Sequence, residues 1–247
     1  MTLCDAHAHL ANLSQKMELM PLFDSAKEAG IRAWLSNALS REELTCYEKL
    51  VQIPELNLLY SAGIHPFWHE CDLTLEDIAA LAERRSIWAI GEIGLDRANK
   101  DHEAMTALFV EQLKLAADYS LPAVLHIVGH QQEAYNILQK YPLKYLMHGY
   151  AGHTSPMQNF LKLDIYFTIS ERIIRADKRE LLLLMLRSGR YLFETDITAE
   201  YVLLGEQNPL LRLIDLVEEC AKISGIPHDE LIQVQAQNYE KLTGVRL

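Results

Sequence analysis

Leu3-Cys4-Asp5-Ala6-His7-Ala8-His9 reads as a short apolar strand that ends on two imidazoles. Two residues apart on an extended chain, His7 and His9 project to one side. Ala6 and Ala8 add little bulk, so an ion has room to approach. Alone, the pair also fits a wet sheet face. Working outward, the same ending recurs. Glu92 follows Ile87-Trp88-Ala89-Ile90, His126 follows Ala123-Val124-Leu125, and His148 follows Tyr145-Leu146-Met147. Asp196 follows Glu194-Thr195, and His65 stands in Gly63-Ile64-His65-Pro66.

Strands are expected at Leu3–His9, Ile31–Ser36, Asn57–Ala62, Ile87–Ile93, Ala123–Val128, Lys144–His148, Ile165–Ile169 and Tyr191–Thr195. Between them run segments of helical period, such as Ala104-Ala107-Leu108-Glu111-Leu115, read as one apolar face. Two helices, Pro209–Ser224 and Asp229–Leu242, are expected to close the chain, with Gly30, Gly189 and Gly225 as C-caps. Strand–helix alternation implies parallel pairing through crossovers. In a doubly wound open sheet, binding groups gather at one crevice between a few strands. Here they come from strands one, three, four, five, six and eight, and a closed barrel brings all of those ends to one mouth. The expectation is an α/β fold, a (β/α)8 TIM barrel, as a single domain over residues 1–247.

Composition agrees with such a fold. The chain has 247 residues, 49% hydrophobic and 23% charged, with no Pro/Gly/Ser-rich linker and no repeat of fixed period. Its net charge is -11, so it gains little from the counterion release that drives non-specific nucleic-acid binding. A protein that coats nucleic acid stoichiometrically is therefore not expected. The start lacks a basic segment followed by an apolar one, so no secretory signal is expected. No apolar run is long enough to cross a bilayer. The 4 cysteines make no C-x-x-C pair and no disulfide framework, which points to reduced thiols and a cytoplasmic location.

The strand-end residues suit metal chemistry. Glu92 is costly to bury without a cation or donors, and its two oxygens can bridge two ions; an internal arginine partner is the other option. His126 and His148 each fit a rim position as well as a ligand. Asp196 suits a residue that coordinates an ion and handles the proton of an attacking hydroxide, or a structural carboxylate. Glu194 shares that choice, as an outer anchor. Pro66 holds His65 extended, in keeping with a substrate contact or with rim structure. His69, His102, His153 and His228 read as surface residues, and His130, at the start of the helix after strand five, is a lesser candidate for the mouth. Four neutral histidines and two carboxylates oppose two divalent cations with about two negative charges. A bound hydroxide and an anionic substrate offset the remainder.

The ordered set Asp5-Ala6-His7-Ala8-His9-Leu10, Gly63-Ile64-His65-Pro66, Gly91-Glu92-Ile93-Gly94-Leu95-Asp96, His126, His148-Gly149-Tyr150-Ala151-Gly152 and Glu194-Thr195-Asp196 resembles the TatD family of metal-dependent hydrolases, in the amidohydrolase superfamily. Gln237-Asn238-Tyr239-Glu240 is similar to that family's closing helix. The resemblance implies a barrel with two divalent metal ions, Zn, Mn or Mg. His7, His9 and Asp196 would hold one, His126 and His148 the other, with Glu92 as bridge. It also implies phosphodiester hydrolysis, some members being 3′-to-5′ exonucleases. Two departures stand out. The family's Ser/Cys-Arg pair after the fifth-strand histidine is Ile127-Val128 here, and the aromatic pair after Gly-Leu-Asp is Arg97-Ala98. Arg172 or Arg175, following strand seven, and Arg97 are candidates to replace the missing phosphate-binding charge, since barrels often bind phosphate after strands seven and eight.

The expected function is hydrolysis at nucleic-acid ends, in which a hydroxide between the ions attacks phosphorus. Asp196 manages the proton and His65 steadies developing charge. A small-molecule amidase, lactonase or phosphoesterase is the alternative, favoured by the lost arginine and the acidic surface. A non-catalytic scaffold comes third.

Overall fold

Eight short runs rich in β-branched, aromatic and small residues pair as parallel strands in one sheet, in the order β1 to β8. They are β1 (Leu3–Ala8), β2 (Ile31–Ala38), β3 (Asn57–Ala62), β4 (Ile90–Asp96), β5 (Ala123–Val128), β6 (Tyr145–Met147), β7 (Ile165–Ile169) and β8 (Tyr191–Phe193). The computed structural model describes residues 2–53, 55–67 and 70–247. His69 therefore lies outside the described residues. Helices α1 (Leu10–Leu13), α2 (Leu19–Glu28), α3 (Arg41–Leu50), α4 (Leu75–Glu83), α5 (His102–Asp118), α6 (Gln131–Leu138), α7 (Thr154–Phe160) and α8 (Arg179–Ser188) follow the strands in turn. Helices α9 (Arg212–Ser224) and α10 (His228–Thr243) end the chain. Among the described residues, no helix is long and apolar enough to cross a membrane.

The sheet closes into the (β/α)8 barrel through two different devices. At the mouth, where the strands end, Asp196 N–H donates to the His7 carbonyl at 2.9 Å and His9 N–H to the Ile197 carbonyl at 3.0 Å. At the opposite end, side chains of α10 serve the strand carbonyls. Gln235 donates to the Cys4 carbonyl, and Asn238 Nδ2 donates to the Gly189 and Tyr191 carbonyls, both at 2.9 Å. Buried carbonyls need such partners. Helix α10 thus seals the seam that the β1 and β8 edges leave, while Tyr239 and Leu242 plug the barrel interior against Cys4, Ala6, Leu35 and Leu192.

Three local expectations are corrected. The fourth strand starts at Ile90, not Ile87, and runs on to Asp96. Its start is set by pairing, because Ile90 is the residue matched to Ala62 on one side and Ala123 on the other. Ile87 and Ala89 are buried all the same, in irregular backbone. In α5 the buried face is Met105, Phe109, Leu113 and Ala116 with Gln112, whereas Ala104, Ala107 and Glu111 are exposed. Both stripes have helical period, and the one with larger side chains removes more apolar area from water. The ninth helix begins at Arg212, after a 3-10 turn at Pro209–Leu211.

Candidate metal centre

Register slips fall within β1, between Asp5 and Ala8, and within β4, between Ile90 and Ile93. Such irregularities re-aim side chains, and here they flank His7 and Glu92. Glu92 is only 1% exposed. Its two oxygens face different partners. Oε1 lies 3.3 Å from His7 Nε2 and 3.2 Å from His9 Nε2. Oε2 lies 2.8 Å from His148 Nε2, 3.6 Å from His126 Nδ1 and 3.7 Å from His65 Nε2. Asp196 completes the first group, with Oδ1 3.7 Å from His7 Nε2 and 3.5 Å from His9 Nε2. In the second group, His126 Nδ1 and His148 Nε2 are 3.0 Å apart. Ligands at about 2.1 Å from a tetrahedral ion stand about 3.4 Å from one another. Both groups have that spacing.

The polar atoms left over fit the same interpretation. Glu92 Oε1, His148 Nδ1 and Glu194 Oε2 are buried without a hydrogen-bond partner. A buried carboxylate oxygen so placed is expensive, and a cation between it and the imidazoles would satisfy it. His7, His9 and Asp196 offer ligand atoms all within 4.8 Å of one another, as do His65, Glu92 and His126.

Charge in the cage is strongly polarised. Burial opposes ionisation of Glu92, yet the His148 and His7 rings hold it well below the usual carboxylate range. Asp196 is likewise depressed despite burial, by its bond to His9 and by the neighbouring imidazoles. Burial also opposes charging of His9 and His126. The bond to Asp196 lifts His9 to about 9, and the bonds to Asp96 and Glu92 lift His126 to about 9. Burial pushes His7 down to about 4 and His65 down to about 3. The carboxylates thus draw cations to this spot, and a divalent ion would displace the imidazole protons.

Outer contacts orient the rings. His126 Nε2 bonds Asp96 Oδ2 at 2.8 Å, which turns Nδ1 toward Glu92. Asn37 Nδ2 lies 2.9 Å from His7 Nδ1, and Ser61 donates to Asn37 Oδ1 at 2.5 Å. The His7 and His148 rings stack, 3.9 Å between centroids. Asp5 accepts from Thr195 N–H at 3.0 Å and from its hydroxyl at 2.6 Å, linking β1 to the segment that follows β8. Burial raises Asp5 to about 7 and raises Glu194 well above the carboxylate range. Sequence patterns missed Asn37 and Ser61, yet the polar ending Ser36-Asn37 after Trp34-Leu35 was a readable signal. Asp96 was read only as part of a motif.

The cage opens into a cavity of about 290 Å³, with His65, Arg172, Phe67 and Tyr201 among its lining. Arg172 is half-exposed, with Nη2 2.7 Å from Asp196 Oδ2. Arg97 and Arg175 are not among the described residues that line it. Arg175 is 68% exposed and pairs with Asp177 instead, while the Arg97 stem packs under Gly129. His102 and His153 are at the surface as expected.

A family model described as "TatD related DNase" matches residues 4–244. The chain belongs to the TatD family. It is similar to a Homo sapiens protein named "Deoxyribonuclease TATDN3", at 26% identity over 97% of this chain and 94% of that protein. A Haemophilus influenzae "uncharacterized metal-dependent hydrolase" is 28% identical over 78% of this chain and 79% of its own length. Among solved structures, the TatD homologue YjjV of Escherichia coli superposes with a TM-score of 0.85 at 25% identity, covering 98% of each chain. This TatD-family chain therefore has relatives that carry both names, deoxyribonuclease and metal-dependent hydrolase, and shares the fold of YjjV.

Proposed function

We propose that the chain, as a single catalytic barrel, is a two-metal hydrolase that cleaves phosphodiester bonds at nucleic-acid ends. His7, His9 and Asp196 would hold one divalent ion and His126 and His148 the second, with Glu92 standing between the two groups. The observation that carries this reading is the division of the Glu92 oxygens between the two imidazole pairs. Imidazole-rich ligation favours Zn or Mn over Mg. Ions so held supply Lewis acidity and make water nucleophilic near neutral pH.

The chain's own groups do the rest. Asp196 orients the attacking water and takes its proton, and the leaving ester oxygen takes that proton up as its bond to phosphorus breaks. Arg172 anchors Oδ2 and supplies positive charge toward a phosphate. His65 accepts a hydrogen bond from Phe67 N–H at Nδ1, 3.0 Å away. The neutral ring therefore carries its proton on Nε2, ready to donate to a developing oxyanion. A cavity of about 290 Å³ suits a terminal nucleotide better than an uninterrupted duplex. The name of the human relative supports a nucleic-acid substrate. Four free cysteines support a reducing, cytoplasmic setting.

The test is turnover by protein loaded with Mn or Zn, on single-stranded oligonucleotides labelled at either end, beside panels of amides and lactones. Mononucleotide release supports the proposal. Turnover confined to the panels would replace it with small-molecule hydrolysis. Metal content near zero after loading would leave a non-catalytic scaffold.

A further inference from the structure

Helix α5 turns its small-residue stripe outward, and a groove of about 700 Å³ runs along it, lined by His102, Thr106, Val110 and three glutamates, Glu103, Glu111 and Glu133. At one end, two imidazoles converge on a single carboxylate oxygen. His102 Nε2 lies 3.0 Å and His130 Nδ1 3.4 Å from Glu133 Oε2. The ring centroids of His102 and His130 are 4.7 Å apart. We propose that His102, His130 and Glu133 form a further metal site, separate from the cage at the mouth, which takes one ion of the zinc class. The proposal is independent of the reaction proposed above.

Geometry and chemistry agree on the class of ion. One ligand atom from each residue fits within 4.8 Å of the others, and the two imidazole–carboxylate separations are close to the edge of about 3.4 Å that Zn–N and Zn–O bonds imply. His102 is already oriented. Its Nδ1 bonds Thr106 Oγ1 at 3.0 Å, one helical turn along, which directs Nε2 at Glu133. That is the arrangement by which an outer partner fixes a ligating ring. His130 precedes α6 with φ 53°, and its side chain makes no capping bond to the helix. That left-handed conformation is uncommon for an L-residue, and the His130 imidazole faces Glu133. Two imidazoles and one carboxylate select Zn²⁺ or its late first-row neighbours over Mg²⁺ and Ca²⁺, which prefer oxygen.

The place of the site suggests what it does. His102 opens α5, which follows β4 and Asp96. His130 stands between β5, with its His126, and α6. An ion there staples two mouth loops together, each continuing from a side chain of the His126–Asp96 pair.

The test follows imidazole ¹H–¹⁵N spectra of the metal-free full chain as Zn²⁺ is added from zero. The added Zn²⁺ should shift His102 and His130 while His153 and His228 stay in place, and Glu133→Gln should abolish the shift. The proposal is overturned if His102 and His130 stay still, if all four rings move alike, or if the shift survives in Glu133→Gln.

Discussion

Asp196→Asn is expected to separate chemistry from folding. Asp196 stands at φ 51°, a region that asparagine tolerates about as well as aspartate. Its backbone N–H bond to His7 is untouched. What is lost is charge. The Arg172 partner is 48% exposed, so that ion pair is worth at most about 1 kcal/mol after solvent screening. With the weakened contact to His9, the total cost is about 1–2 kcal/mol. At this chain length each kcal/mol moves Tm by about 2–4 °C, which predicts a fall of about 5 °C. Loss of a group that takes a proton in the transition state costs about 10²- to 10⁴-fold in kcat. The assay is kcat on a labelled oligonucleotide at saturating Mn²⁺, with metal content and melting measured on the same samples. A kcat within tenfold of the parent at full metal occupancy would refute the role. So would a collapse in Tm large enough to account for the lost turnover.

Arg172→Glu should raise KM for a phosphodiester about tenfold or more and leave KM for an uncharged ester unchanged, because Arg172 lines the cavity. Arg175→Glu should leave both unchanged, and equal effects from the two variants would refute the assignment. Gly94→Ala should lower stability by about 3 kcal/mol in a denaturant titration. The new Cβ would stand 2.0 Å from the His126 carbonyl oxygen at φ +151°, and an unchanged midpoint would show that β4 and β5 can separate freely. Glu206 is held below its ordinary value by the side-chain bond from Arg212, against the opposing effect of burial. A depressed carboxylate stabilises above its unfolded pKa and loses that contribution as pH falls through the folded value. Glu206→Gln should therefore melt below the parent at pH 7, with a gap that closes below about pH 4.5; a constant gap would refute the linkage.

Much of this architecture was legible in one dimension because local pattern and tertiary role coincide. The runs at β3, β5 and β7 have the expected bounds, each being a short apolar segment punctuated by polar or small residues. The imidazoles stood out because buried ionisable groups at strand ends have few purely structural uses. Where two local patterns were equally regular, the reading failed. The α5 stripe at Ala104 and Ala107 has the same period as the one at Met105 and Phe109, and only the packed sheet decides between them. Arg97, Arg172 and Arg175 were equivalent as charges in a string, and only Arg172 reaches the cavity.

Residue type and order alone determined the alternation of strands and helices, and the list of side chains able to bind a cation. Those depend on near-neighbour periodicity, which a single chain displays. Barrel closure decided which carboxylate oxygen faces which imidazole, that Asn37 and Asp96 steer the rings, and that α10 seals the β1–β8 seam. These contacts join residues far apart in sequence. Their partners are chosen by pairing register and burial, quantities that do not exist until the strands have met.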